Sequence, residues 1–418
     1  MDILEGLTMK HYRITSLFVL SLIFLFLSCE DQGIVGPPRP IEMRPLTAAE
    51  LKLVQANGDF WLDIFKAIGK SEQDKNIFVS PLSISMALGM TMNGANGTTL
   101  DSMKNVLRFS NLSMSEINEA YKSLIALLST VDPNVQLNVA NSIWYRTGFP
   151  VERDFIDVNK TYFDALVSDL DFNNPSSCDV INSWVNAETS GKISKILDGP
   201  IPPELMMYLI NALYFKGDWT FKFKKELTKD DQFTLQNGSK VSCQMMSQES
   251  RFALYTGDSF SALDLPYGGQ VFSMMIVLPK AGVDINSMMD SFSLAAWRDI
   301  LNGLQSTGVV VMLPKFKLEY ETSLIPSLRA MGMGNAFDGR ADFTRICKSI
   351  PLCIGEARHK TYVKVDEEGT EAAAVTVIGI RATSSGPIFR ADRPFLFVIR
   401  ERSSGAILFV GKILNPNG

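Results

Sequence analysis

A chain of 418 residues with 46% hydrophobic content carries enough apolar side chain for a sizeable core, which excludes a disordered protein. Its 40 basic and 45 acidic residues are well mixed and give a net charge of −5, so the basic footprint of a nucleic-acid binder is missing and no nucleic-acid partner is expected. Only two histidines occur, and His11 falls in the leader, so histidine-based catalysis would rest on His359 alone.

At the N-terminus, Lys10 and Arg13 precede an apolar run from Ile14 to Leu27 that closes on Ser28-Cys29, the order of regions in a secretory signal. The run is short for a transmembrane helix. Met9 fits a start better than Met1, since residues 1–8 carry two acids and no base. Phe26-Leu27-Ser28-Cys29 resembles a bacterial lipobox, with phenylalanine where leucine is usual. That likeness implies a signal peptide over 1–28 and a lipid on Cys29 as the one link to a membrane. An outer-membrane or cell-surface lipoprotein is then expected, and otherwise a periplasmic or secreted protein. A plain signal peptide cut near Ser28 is the alternative.

Residues 29–45 hold Pro37, Pro38, Pro40 and Pro45 without hydrophobic period and read as an extended tether. Thr47-Ala48-Ala49-Glu50 is a capping box, and Val54, Trp61, Ile64, Phe65 and Ile68 follow at helical spacing, predicting a helix of about twenty residues. Further helices are expected at Leu82–Met92, Ser115–Leu128, Cys178–Thr189, Ser287–Leu304 and Thr322–Met331. Strands are expected at Val135–Val139, Leu209–Phe215 and Val309–Leu318, with a hairpin of Phe395–Ile399 and Ile407–Val410 about Ser403-Ser404-Gly405. Neither a repeat nor a linker divides residues 46–418, so one α+β domain is expected.

Motifs for chemistry are missing. There is no H-E-x-x-H, G-x-S-x-G, Walker loop or G-x-G-x-x-G, so no catalytic residue, metal or cofactor is expected and the chain does not read as an enzyme. Alternation puts His359 with Thr361, Val363 and Val365 on an inward strand face, where a histidine is a hydrogen-bonded structural residue. The pairs Glu367-Glu368 and Asp230-Asp231 read as solvated charge. Cys178, Cys243, Cys347 and Cys353 read as buried free thiols, with a Cys347–Cys353 pair left open. Residues 370–381 alternate between a small inner face (Thr370, Ala372, Ala374, Thr376, Ile378, Ile380) and an outer face that takes both charges, Glu371 and Arg381. Thr383-Ser384-Ser385-Gly386-Pro387 then reads as an open loop. Composition alone makes this an edge strand running into a loop.

Glu367, Glu368, Gly369, Thr370, Glu371, Ala372, Ala373, Ala374 and Thr376 resemble the hinge of a serpin reactive-centre loop, Val375 being bulkier than the pattern. Other segments fall in the same family order: Asn76-Ile77-Phe78-Val79-Ser80-Pro81-Leu82-Ser83, Asn211 to Trp219, Leu265-Pro266-Tyr267, Leu313-Pro314-Lys315-Phe316, Ala341-Asp342-Phe343, Ala391 to Phe395 and Phe409-Val410-Gly411-Lys412. The resemblance covers residues 46–416. It implies an α+β serpin fold, with a large central sheet A, sheets B and C, about eight to nine helices and an exposed reactive-centre loop. It implies a monomer that acts as a suicide substrate of serine proteases, with papain-like cysteine proteases as a further class. The protease cuts the loop, and the freed strand enters the main sheet with the acyl-enzyme attached. On this reading the leading edge enters only after the cut, and Ile378 and Ile380 then bury apolar area at roughly 1.5–3 kcal/mol each.

Counting from the hinge places the reactive bond at Thr383-Ser384, suited to elastase-like or subtilisin-like enzymes, with Arg381-Ala382 and a trypsin-like enzyme as the rival. Carried over by position, Ser80, Ser83, Asn211 and His359 form a polar cluster beneath the sheet, the shutter, and Trp219 marks the breach where insertion begins. The alternatives are a non-inhibitory serpin that binds or chaperones a partner and, from another class, a surface hydrolase or glycan-binding lipoprotein.

Overall fold

Helix α1 (Ala48–Ser71) begins at the capping box: Thr47 Oγ1 accepts from the Glu50 N–H, and the Glu50 carboxylate accepts from the Thr47 N–H. This computed structural model describes residues 40–370 and 386–418. The end of the expected tether is already packed. Ile41 donates its N–H to Gly269 O at 3.0 Å, and Arg44 clasps the fully buried Glu50 carboxylate at 2.6 and 2.9 Å. A buried carboxylate needs a cation, and Arg44 supplies it, so ordered packing starts at Ile41 and not at Leu46.

Strand β1 (Ile77–Val79) leads through Ser80, which caps α2 (Pro81–Met92). Then come α3 (Gly97–Val106), α4 (Met114–Thr130), the long β2 (Val135–Arg146), α5 (Arg153–Phe163), β3 (Leu166–Leu170), α6 (Ser176–Glu188) and β4 (Met207–Asp218). Helices α3 and α5 were not expected from the sequence, although α5 buries Phe155, Asn159 and Phe163 at helical spacing.

Next are β5 (Lys229–Thr234), β6 (Lys240–Thr256), β7 (Phe260–Pro266) and β8 (Phe272–Pro279). The single helix expected over Ser287–Leu304 is two, α7 (Ile285–Ser291) and α8 (Leu294–Gly303): Phe292 is extended and buried, and Ser293 caps the second. The strand expected over Val309–Leu318 also divides. β9 (Gln305–Pro314) and β10 (Phe316–Ser323) part at Lys315 and belong to different sheets. Helix α9 (Ile325–Ala330) is shorter than expected because Thr322 and Ser323 stay in β10, paired with His359 and Arg358. The chain closes with β11 (Arg358–Val365), β12 (Gly369–Thr370), β13 (Ile388–Arg390), β14 (Phe395–Glu401) and β15 (Ile407–Ile413).

Nine α-helices among the described residues surround two sheets. The core sheet has nine strands in the order β1-β15-β14-β8-β7-β6-β9-β13, with β5 also on β6. The 17-residue β6 pairs with β5, β7 and β9, so the expected sheets B and C are one hydrogen-bonded surface. The hinge sheet, the expected sheet A, has six strands in the order β10-β11-β12-β4-β2-β3. Both its faces are covered. Leu137, Phe215, Val363 and Val365 join the main core, while Trp144 and Ile210 pack with Ile181 and Val185 of α6 in a second cluster. The four described cysteines are unpaired, and Cys353 is exposed where a buried thiol was expected.

Candidate functional site: the hinge, the breach and the shutter

β11 turns back on itself at Asp366. The Asp366 N–H donates to Gly369 O and the Glu368 N–H to Asp366 Oδ1, each at 3.0 Å, which brings Thr370 opposite Val365. On its other side β12 pairs antiparallel with β4, Gly369 facing Asp218 and Thr370 facing Gly217. Gly369 has φ +156°, and a Cβ there would collide with Gly217 O, so only glycine fits this approach. Among the described residues β11 and β4 share no ladder of their own; the two residues of β12 are all that joins them.

Thr370 is buried, and its hydroxyl meets the Tyr267 hydroxyl at 2.7 Å. Burial pushes the Tyr267 phenol far above its ordinary range, so it stays a neutral hydrogen-bonding group. Its ring stacks on Trp219 with centroids 4.4 Å apart. Trp219 in turn donates its indole N–H to Asp366 O at 3.0 Å and its backbone N–H to Glu368 O at 2.8 Å.

Glu367 and Glu368, read from sequence as solvated charge, are tie-points. Glu367 is 4% exposed; Lys315 Nζ lies 2.8 Å from its carboxylate, and Thr228 donates to it at 2.8 Å. Burial alone would raise its pKa, but the bonds from Lys315, the backbone and Thr228 outweigh that and hold it below the usual range. Glu368 receives Lys222 at 3.0 Å and Lys225 at 3.2 Å, and again these cations override burial and keep the carboxylate ionised. The pair misreads as solvent-facing because its partners come from distant segments.

The expectation that the hinge enters only after the cut needs correcting, because Gly369 and Thr370 are seated in the sheet of the intact chain. The hinge residues Ala372, Ala373, Ala374 and Thr376, both reactive-bond candidates (Thr383-Ser384 and Arg381-Ala382) and Cys29 lie outside the described residues. On the far side of that segment the chain resumes as β13, parallel to β9, with Ile388 67% exposed.

The four expected shutter residues do not form one cluster. Ser80 donates its N–H to His359 Nε2 at 2.9 Å and its hydroxyl to Leu408 O at 2.7 Å, and Ser80 Oγ accepts from the Ser83 N–H at 3.1 Å. Asn211 instead donates to Asn141 Oδ1 at 2.7 Å across the β2–β4 ladder, and its own buried Oδ1 has no partner among the described residues. Among the described residues, no strand carries hydrogen bonds from the Asn211 level of β4 across to β11. Burial depresses the His359 pKa to about 3; the ring is neutral, with Nε2 as acceptor and its proton on Nδ1.

Tyr267 and Lys315 lie within sequence segments noted for their family order but were given no role. Lys222, Lys225 and Thr228 carried no signal.

A family model described as "Serpin (serine protease inhibitor)" matches residues 55–416. Serpin B6 of Macaca fascicularis is 35% identical over 376 residues, covering 87% of this chain and 99% of that protein. Among solved structures, the thermophilic serpin tengpin in its native state aligns with TM-score 0.80 and 30% identity over 91% of this chain and 97% of its own. Human thyroxine-binding globulin in complex with its hormone aligns with TM-score 0.82 and 30% identity over 89% of this chain and all of its own, 100%.

Proposed function

The chain belongs to the serpin family, a family of protease inhibitors and not enzymes that also has non-inhibitory members, and we propose that it is an inhibitory serpin that traps its target by inserting the cleaved reactive-centre loop between β11 and β4. One observation carries this reading: the hinge already occupies the head of a strand position whose two flanking strands have no ladder with each other. An antiparallel strand continuing from Thr370 would pair with both β11 and β4, as strand addition to a sheet requires. Before cleavage the intact loop is restrained at both ends, so the native form persists kinetically.

The residues do not act as catalysts; the protease supplies the chemistry. Attack at the Thr383 carbonyl breaks the Thr383-Ser384 bond, leaves an acyl-enzyme and releases the new amine at Ser384. Small inner residues at Ala372, Ala374 and Thr376 suit early entry of the strand.

A second reading, a carrier of an apolar small molecule, is favoured only by the likeness to the thyroxine-bound structure. The apolar cavity bounded by Trp61, Phe65, Val277, Met289, Leu396 and Val398 has room for about one water molecule (≈ 10 Å³). Drug-sized ligands need roughly 300 Å³ or more.

Incubation with elastase, subtilisin, trypsin and papain tests the proposal. An SDS-resistant complex and a released peptide beginning at Ser384 are expected, and a peptide beginning at Ala382 would move the bond to Arg381. Cleavage with neither a complex nor a rise in thermal stability would leave a non-inhibitory serpin. We further propose export with a lipid on Cys29; Cys29→Ala should release the protein from the membrane fraction, and unchanged fractionation would refute lipidation.

A further inference from the structure

The turn between β7 and β8 is held from several sides. The Gly268 N–H donates to Asp218 O at the end of β4 at 2.8 Å, and Thr220 Oγ1 donates to Gly268 O at 2.9 Å. The Gly269 N–H donates at 2.8 Å to Asp132, whose carboxylate is buried just ahead of β2 and also accepts from the Asn134 N–H at 2.9 Å. The remaining side is closed by Ile41. Its N–H donates to Gly269 O at 3.0 Å, and its side chain lies so close over Gly269 that a Cβ there would collide with it. This turn directly follows Tyr267, which stacks on Trp219 and bonds Thr370.

We infer that Ile41 and Asp132 are positioning residues for the hinge: strap and carboxylate together fix the turn that carries Tyr267 to Thr370, and so resist opening of the sheet at Gly369 and Thr370. The arrangement is directional. Asp132 and Asp218 tie the turn to the β2–β4 side of the gap, whereas Thr370 belongs to the chain leaving β11. Opening the sheet for a longer strand must shift these sides relative to each other and strain the Tyr267–Thr370 bond. Arg44, locked on Glu50 three residues further along, keeps the strap from sliding.

This rests on the reading of an insertable loop, and the test separates the two. Full-length wild-type, Ile41→Pro, Asp132→Ala and Ile41→Val proteins are held at raised temperature without protease. Loss of inhibitory activity and the appearance of a more heat-stable, uncleaved species are followed together. Ile41→Pro removes the donated N–H and should speed that conversion about fivefold, the factor one net hydrogen bond is worth; Asp132→Ala should speed it at least as much, and Ile41→Val should match wild type. A merely structural role would lower the melting temperature without producing the stable species, and that outcome, or conversion at the wild-type rate, overturns the inference. If the wild-type protein cut by a protease gains no thermal stability, the insertable loop itself fails, and the inference with it.

Discussion

The two sheets are built to different degrees of completion. In the core sheet every residue of β8, β14 and β15 is buried, and each strand is laddered to the next from β1 through β15, β14, β8 and β7 to β6, with one register shift at Ile399/Arg400. In the hinge sheet β4 lies between strands, yet seven of its twelve residues are only partly buried, and among the described residues it reaches β11 only through Gly369 and Thr370. Apolar burial dominates the first sheet, and its few buried charges are paired, Arg400 with Asp264 and Lys412 with the Glu72 and Gln73 carbonyls. The second is held at its open end by side-chain ties: Tyr267 on Thr370, Trp219 on Asp366, Lys315 on Glu367 and Lys222 on Glu368. Burial is thus densest in the core sheet, and the head of the hinge sheet depends on ties between distant segments.

The sharpest way to break this comparison is Thr370→Arg. Thr370 is 3% exposed, so an arginine there forces a guanidinium into a buried site built around a neutral Tyr267–Thr370 bond, and a poorly paired buried charge costs several kcal/mol. The variant should still be cut in the loop but should lose the SDS-resistant complex almost completely; a wild-type complex yield on gels would refute a role for the seated hinge. Phe397→Ala probes the other sheet. Its ring is fully buried and stacked on Phe78, so about 3–5 kcal/mol of stability should disappear by denaturant titration in the intact and the cleaved protein alike. A selective change in complex yield would mean that the two sheets are not separable. Tyr267→Phe is milder and more pointed. It strands the Thr370 hydroxyl at a cost of about 1–3 kcal/mol. That cost should appear in the intact form with a drop in complex yield, the reverse of the Phe397 pattern.

How far the chain could be read ahead of its structure follows the same division. Of the core-sheet strands, the hairpin of β14 and β15 declared itself as two apolar runs, because burial on both faces writes directly into composition, whereas β5 to β8 were not read as strands, the fully buried β8 included. The hinge sheet was legible wherever one face is buried, as in the alternation of His359, Thr361, Val363 and Val365. Its closure was not: Lys222, Lys225, Thr228 and Lys315 reach Glu367 and Glu368 across long sequence separations, and no periodic signal marks them. The split of Asn211 from His359 was equally hidden, since each polar residue had several possible partners and only register decides between them. Nor could composition show that Gly369 and Thr370 are already in place, because a hinge able to enter a sheet has the same residues whether seated or waiting.

The smallest expected effect lies where the two sheets touch. His359 of β11 accepts from the Ser80 N–H, and the Ser80 hydroxyl donates to Leu408 O in β15, so a neutral imidazole is one link between hinge sheet and core sheet. Burial holds its pKa at about 3, against about 6.5 in an unfolded chain. A depressed histidine pKa means that the unfolded state takes up the proton first. The full contribution is therefore present above about pH 6.5 and is lost as the pH falls from there toward 3, at up to about 1.4 kcal/mol per unit. Protonation would also turn Nε2 into a donor facing the donating N–H of Ser80, so the folded state has no ready way to relieve the cost. Between about pH 7.5 and 5.5 the carboxylates, Glu50 at about 2 among them, remain ionised, and their own losses come lower. Urea titrations across that window should show wild type losing about 1 kcal/mol and His359→Gln nearly level. Equal slopes in both would place the pH sensitivity elsewhere and remove His359 as the link.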